Sequence, residues 1–283
     1  MSQIEPDKYA VVGDPIAHSK SPLIHRLFAQ QTAQNIRYEA IRIDSEELSF
    51  AQAIEQLKQE GFKGLNITVP YKVDAFEQAN QLTARAQVAQ AVNTFVFEAD
   101  GQILGDNTDG AGLVLDIEQN AKRPFKDQRV LIIGAGGAVQ GILQPLLAKQ
   151  PGRVHIANRT AKRAQVLGER FDTSVPMSAS GWDAIPLEPF DIIINGTSAS
   201  LEGKLPPISE KVLGAHSLVY DMMYGAQPTV FMNWAKQHQP NCQTLDGLGM
   251  LVGQAAESFA LWRGVKPDIQ PVIAAVRKLI QSN

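Results

Sequence analysis

The chain has 283 residues, 44% hydrophobic and 19% charged, a composition suited to two modest cores rather than one large one. A formal net charge of −3 and a pI near 6.0 give no attraction for a polyanion, so nucleic acid is excluded as a partner and small solutes are expected. Cys242 is the only cysteine, which rules out an intrachain disulfide. Met1 to Lys8 lacks the basic start and apolar stretch of a signal peptide, and no apolar run reaches about 18 residues, so a cytoplasmic protein without membrane contact is expected.

From Tyr9 the chain alternates short β-branched runs with helical patterns. Strands are predicted near Tyr9 to Gly13, Tyr38 to Ile43 and Gly64 to Val69, with helices near Pro22 to Gln31 and Glu46 to Glu60, the second stopped by Gly61. That βαβαβ order predicts a mainly parallel α/β sheet. Asn93 to Glu98 and Gln102 to Gly105 flank the turn Ala99-Asp100-Gly101 and read as a hairpin forming an antiparallel edge. A helix near Gly110 to Gln119 leads to the polar, turn-rich stretch 120–127, which reads as a join between units. A second α/β series follows, with strands at Arg129 to Ile133 and near Val154 to Ala157, Asp191 to Asn195 and Leu218 to Asp221. Two last helices, near Gly249 to Arg263 and Pro267 to Gln281, have no strand after them and are expected to return to the first lobe, leaving a cleft between two lobes. The fold class is therefore α/β with two α/β lobes, a first, mainly parallel sheet and a Rossmann-type second domain, divided as 1–108 with 248–283 and 109–247.

Val130-Leu131-Ile132-Ile133-Gly134-Ala135-Gly136-Gly137-Ala138 is a buried strand entering a glycine turn, with a helix to follow. Gly134 permits the tight turn, Gly136 lets the backbone approach a pyrophosphate, and the helix start offers free amides; the same glycines would also serve merely to turn a chain. Val139 stands where the fingerprint takes a third Gly or Ala, and is expected to push the helix away from the strand. The next strand ends in Asn158-Arg159-Thr160 with Lys162 and Arg163 close behind, where an NAD site carries a carboxylate. Guanidinium groups at Arg159 and Arg163, with Asn158 and Thr160 as hydrogen-bonding partners, suit a 2′-phosphate, so NADP(H) is the expected cofactor; the alternative is a solvated helix start with stray cations.

Other residues invite two readings each. Ser19 and Ser21 precede Pro22 and either cap a helix or bind an anion at its positive end. Lys72 follows a strand end at the mouth of a parallel sheet, as a surface lysine or a ligand-facing one. Asp109 closes Asp106-Asn107-Thr108-Asp109 as an N-cap or as a site carboxylate. Asn66 and Thr68 lie in a predicted central strand and need partners if buried, Asn93 is a strand-start turn residue, and Tyr224 is an amphipathic aromatic. Gln254 interrupts an otherwise apolar helix, pointing outward or at a polar ligand, while Met222 is core filler or a soft wall for a ring. His18 and His25 lack further ligands at metal spacing, so no metal is expected.

The runs Gly13-Asp14-Pro15-Ile16-Ala17-His18-Ser19-Lys20-Ser21-Pro22 and Asn66-Ile67-Thr68-Val69-Pro70-Tyr71-Lys72 resemble the signatures of the shikimate dehydrogenase family. Ala91-Val92-Asn93-Thr94, Gly105 to Gly110, Tyr220 to Tyr224 and Asp246 to Ala255 continue the likeness in family order over roughly residues 9 to 264. The resemblance implies reversible reduction of 3-dehydroshikimate to shikimate with NADPH, on the route to chorismate and the aromatic amino acids. It implies Lys72 and Asp109 as a catalytic pair and Ser19, Ser21, Asn66, Thr68, Asn93, Tyr224 and Gln254 as further substrate contacts. For the cofactor it implies Gly134, Ala135, Gly136, Gly137, Ala138, Asn158, Arg159, Thr160, Arg163, Met222 and Gly247. Other readings are an NAD-preferring quinate/shikimate dehydrogenase and a non-catalytic homologue that senses ligands; monomer and homodimer both stay open.

Overall fold

The computed structural model describes residues 5–44 and 46–282. The chain divides into two compact units, Met1–Gly112 with Val252–Val276, and Leu113–Leu251 with Arg277–Asn283.

The first unit begins with β1 (Asp7–Gly13), α1 (Ser21–Thr32), β2 (Ile36–Arg42) and α2 (Phe50–Gln59). α2 starts four residues later than the sequence pattern predicts because Ser49 caps it: its hydroxyl accepts from the Gln52 amide, and the Gln52 side chain takes the Ser49 N–H in return. β3 (Phe62–Ile67), α3 (Lys72–Gln78), β4 (Gln81–Leu82), α4 (Ala84–Ala89), β5 (Thr94–Phe97) and β6 (Ile103–Asp106) follow, then α5 (Asp109–Leu115). The sheet order is β2-β1-β3-β5-β6-β4. The β5–β6 hairpin is antiparallel as expected but is not the edge, because the two-residue β4 pairs parallel to β6 outside it. β3 is thus central, and it sets its C-terminal end, with Lys72 just beyond, beside the ends of β1 and β5.

The second unit begins at Leu113, late in α5, which continues into a π-helical turn, Asp116–Asn120. The chain passes between units inside this helix and not in 120–127; Ala121 and Phe125 of that stretch are buried in the second core. A polar composition therefore marked a surface turn, while the true crossing, held in helical hydrogen bonds, leaves no compositional trace. β7 (Arg129–Ile133), α6 (Gly137–Leu147), β8 (Arg153–Ala157), α7 (Ala161–Glu169), β9 (Met177–Ser180), β10 (Phe190–Asn195), β11 (Leu213–Asp221), α8 (Val230–His238) and β12 (Gln243–Asp246) complete the sheet. All its pairs are parallel and its order is β12-β11-β10-β7-β8-β9, the doubly wound Rossmann order. β7 is buried on both faces: Val130 and Ile132 join the core under α6, and Leu131 and Ile133 the core under α8.

α9 (Leu248–Arg263) begins in the second unit and continues into the first, and α10 (Gln270–Ser282) ends the described chain. The compact units change over at Gly112/Leu113 and Leu251/Val252, within a few residues of the expected 108/109 and 247/248 and inside helices, and Arg277–Asn283 group with the second unit. α9 lies close on the first sheet because Gly64 has no side chain to meet the Trp262 indole, whose Nε1 donates to the Phe95 carbonyl at 2.9 Å. Arg263 then ties the helix end to Asp7 and Gln34.

Candidate active site

In the first unit the ends of β3, β5 and β6 and the flank of α9 bring polar residues together. Lys72 opens α3, and its ammonium donates to Asp109 Oδ2 at 2.6 Å; the side chains are 30% and 12% exposed, so the pair is reachable but sheltered. Asn93 Nδ2 donates to the other carboxylate oxygen at 2.8 Å and to Thr108 Oγ1 at 2.9 Å, while Asn93 Oδ1 accepts from the Thr108 amide at 2.9 Å. The carboxylate is thereby fixed on both oxygens by donors, one of them charged. It does not cap α5; the Asp109 amide is instead satisfied by Asn107 Oδ1 at 3.2 Å. Gln254 faces inward, its Oε1 within 3.4 Å of Asn93 Nδ2 and 3.5 Å of the Thr108 hydroxyl.

Asn66 is buried and engaged on all sides: Oδ1 accepts from the Tyr38 hydroxyl at 2.8 Å, and Nδ2 donates toward Asn93 O, Thr94 Oγ1 and Ser258 Oγ. Burial drives the Tyr38 phenol well above its ordinary range, the nearby Ser21 side chain offsetting part of that. Ser21 is the first residue of α1 and not its cap; its amide donates to Ser19 Oγ at 3.3 Å. Thr68 lies one residue past β3, with its amide on Val12 O and its carbonyl accepting from Tyr71 N–H. Beneath the Asp109 turn, Asp106 receives Arg85 through two bonds of 2.7 and 2.5 Å, and Thr83 besides. Burial alone would raise the Asp106 carboxyl, but these donors and the Arg85 charge hold it below the usual range.

In the second unit Gly134 takes φ +112°, a backbone that side chains rarely adopt, and its amide donates to Ala157 O at 2.7 Å. Gly136 is the N-cap of α6, no side chain caps that helix, and a Cβ at Gly136 or Gly137 would meet nothing within 4 Å. The helix amides beside Gly136, Gly137 and Ala138 are thus open to an anion, with Ala135 buried behind them. Val139 is fully buried and fills the space that a side chain at Gly196 would need, so the missing small residue of the fingerprint is compensated across the strand ends. Asn158 donates to Thr160 O at 3.0 Å and shapes the turn that exposes Arg159 and starts α7. A pocket of about 360 Å³ beside the glycine turn is lined by Arg163 but not by Arg159. Met222 and Gly247 come together at the ends of β11 and β12, where Gly247 packs on the Met222 carbonyl. Tyr224 also lies in this unit, half-buried, and burial raises its phenol with the charge of Asp246 adding to the effect.

Sequence reasoning missed Tyr38, Thr94, Thr108, Ser258 and Arg85. Ser258 had a legible signal: it stands four residues after Gln254, a second polar group on the same apolar helix face. The others belong to long-range networks without local pattern. Among the described residues no group of three or more His, Cys, Asp or Glu side chains is arranged to hold a metal ion.

An enzyme that moves hydride to a ketone needs a backbone cradle for a dinucleotide and a fixed proton donor where negative charge grows on oxygen. The second unit supplies the first and the first unit the second, which defines the class: an α/β nicotinamide-dependent oxidoreductase. Residues 11–95 match the family model of the shikimate dehydrogenase substrate binding domain, residues 116–202 that of shikimate / quinate 5-dehydrogenase, and residues 247–277 that of the shikimate 5'-dehydrogenase C-terminal domain. The chain belongs to the shikimate dehydrogenase family. It is 70% identical to the shikimate dehydrogenase (NADP(+)) of Hydrogenovibrio crunogenus over 98% of this chain and 99% of that protein, and 52% identical to that of Pseudoalteromonas atlantica over 97% and 100%. Its fold is similar to shikimate 5-dehydrogenase from Thermus thermophilus in complex with NADP(H) and shikimate, with a TM-score of 0.83, 29% identity and coverage of 96% and 99%.

Proposed function

We propose that this chain catalyses the reversible NADPH-dependent reduction of 3-dehydroshikimate to shikimate, on the route to chorismate and the aromatic amino acids. The observation that carries the reading is the Lys72–Asp109 contact at 2.6 Å, with Asn93 locking the second carboxylate oxygen. The cofactor fits this chain: an uncapped helix start after a positive-φ glycine, and cations where an NAD site has a carboxylate. Gly134 to Ala138 would hold the pyrophosphate, Asn158, Arg159, Thr160 and Arg163 the 2′-phosphate, and Met222 with Gly247 the nicotinamide. NADPH, when bound, supplies the hydride that adds to the ketone carbon.

The protein's own part is positioning and charge. Asp109 and Asn93 hold the Lys72 ammonium in one place, so that an N–H left over from Asp109 faces the ketone oxygen as it becomes alkoxide-like. Lys72 stabilises that charge and delivers a proton from Nζ, and in the reverse direction Nζ takes the proton back. Ser19 and Ser21 are the proposed carboxylate contacts. Thr68, Asn93, Gln254 and Tyr224 are proposed to meet the remaining polar groups of the substrate, and Asn66, whose amide is already engaged, to contribute by holding Tyr38. Tyr224 apart, the proposed substrate contacts belong to the first unit, the cofactor role falls to the second, and a cytoplasmic location is proposed with them. Among the described residues no helix is long and apolar enough to cross a membrane.

A panel of shikimate and quinate with NADP⁺ and NAD⁺ on purified protein tests the reading. Shikimate with NADP⁺ should give the highest kcat/KM; a higher value for quinate or for NAD⁺ would refute the assignment.

A further inference from the structure

The cations that the dinucleotide motif flags do not exhaust those around the pocket beside the glycine turn. One wall is Gly136 and Gln140 of α6; the other is a single face of α7 running from Lys162 to Arg170. Lys162, Val166 and Arg170 follow one another at four-residue steps, and Arg163 stands seven before Arg170, so all three cations share one row of the helix surface. Helical side chains lean toward the N-terminus, which carries Arg170, from the end of α7, back over the same pocket.

Among the described residues no carboxylate pairs with this row. The pocket has no acidic lining residue, and among the described residues Lys162, Arg163 and Arg170 enter no ion pair. Several arginines elsewhere are paired, Arg85 with Asp106, Arg129 with Asp191, Arg153 with Glu188 and Arg277 with Asp246. Like charges along one helix face repel, and Lys162 and Arg163 in the first turn also oppose the helix dipole. An arrangement unfavourable for the helix alone is offset if an anion enters the pocket.

We infer that Arg170 is a further selectivity-determining residue of the cofactor pocket, its guanidinium acting with Lys162 and Arg163 on the 2′-phosphate; this rests on the NADP(H) reading above. Arg170 carries no part of the glycine motif and lies eleven residues beyond Arg159, which explains why local pattern did not flag it.

The test is calorimetric titration of the full-length protein, without substrate or nicotinamide, using 2′,5′-ADP and 5′-ADP as probes. The wild type should prefer 2′,5′-ADP. Arg170→Ala should weaken 2′,5′-ADP by about 3- to 10-fold and 5′-ADP by less than about 2-fold, Arg170→Glu should weaken 2′,5′-ADP further, and Arg170→Lys should retain most of the affinity. Raising salt from about 50 to about 300 mM should cost the wild type more affinity than Arg170→Ala. Equal weakening of both probes, or unchanged 2′,5′-ADP affinity with only a lower Tm, would overturn the inference and leave Arg170 a helix-terminus residue. The two levels separate cleanly: a wild type without preference for 2′,5′-ADP removes the NADP(H) reading as well, whereas a wild-type preference left undiminished in Arg170→Ala removes this inference alone.

Discussion

His25 makes the stability of the first unit depend on pH in a direction that can be calculated. Its ring is 0% exposed, lies face to face on Tyr38 with centroids 4.0 Å apart and planes 5° apart, and neither ring nitrogen has a hydrogen-bond partner. Burial pushes the imidazole from its ordinary value of 6.5 down to about 3, the nearby Asn66 amide offsetting only part of that. In the unfolded chain the ring takes up a proton below 6.5, whereas in the folded chain it stays neutral down to about 3. Stability is therefore complete above the unfolded value and is lost as the pH falls through that window. At pH 5 the loss is RT ln(1 + 10^1.5), about 2 kcal/mol, growing to about 4 kcal/mol near pH 3. Urea unfolding of the wild type and His25→Phe, each near pH 7 and near pH 5, measures it. The phenyl ring keeps the stacking without the titration, and subtracting the variant's own pH change removes the carboxylate contributions. The wild type should lose about 2 kcal/mol more than the variant between the two conditions. Equal losses would refute the argument, since a ring protonating alike in both states cannot couple to folding.

Tyr220→Phe removes the donor that reaches Asp116 Oδ2 at 2.7 Å in the second core, where burial already raises the carboxyl. The cost should be about 2 kcal/mol at pH 7 and less near pH 5, because the variant favours the neutral acid still more; a pH-independent cost in urea unfolding would contradict this. Gly247→Ala puts a methyl group against the Met222 backbone, which cannot swing aside, and should lower stability by about 2 kcal/mol and Tm by roughly 4–8 °C. Gly136→Ala meets nothing within 4 Å, so calorimetry should find stability within about 1 kcal/mol of wild type but weakened NADP⁺ binding. Matching Tm losses in the two glycine variants would show that the contacts are misread.

What the sequence revealed was whatever is encoded locally. The run from Val130 to Ala138 combines a strand buried on both faces with a turn only glycine makes easily, and each part leaves its own mark in the residues. Strands β4, β9 and β12 escaped because each is at a sheet edge, short, and held by one neighbour, so their sequences need no alternation or β-branching. The π-helical turn at Asp116–Asn120 was equally invisible, since the Asp116 carboxylate it carries meets its partner Tyr220 104 positions away. Motif likeness flagged Lys72, Asp109, Asn93 and Gln254, but whether Gln254 faced inward was decided only by α9 packing on Gly64 and Gly112. Asn66 illustrates the opposite limit, since its amide is saturated by Tyr38, Thr94 and Ser258 from three separate elements.

The reduction itself hangs on the ammonium at Lys72, and the direct measurement is steady-state oxidation of shikimate by Lys72→Met, read beside calorimetric NADP⁺ binding to the same protein. With the charge and its proton gone and the apolar stem kept, kcat should fall by about 100-fold or more while NADP⁺ affinity stays within about 2-fold of wild type. Wild-type turnover in that variant would contradict the account and return Lys72 to the ordinary surface lysines.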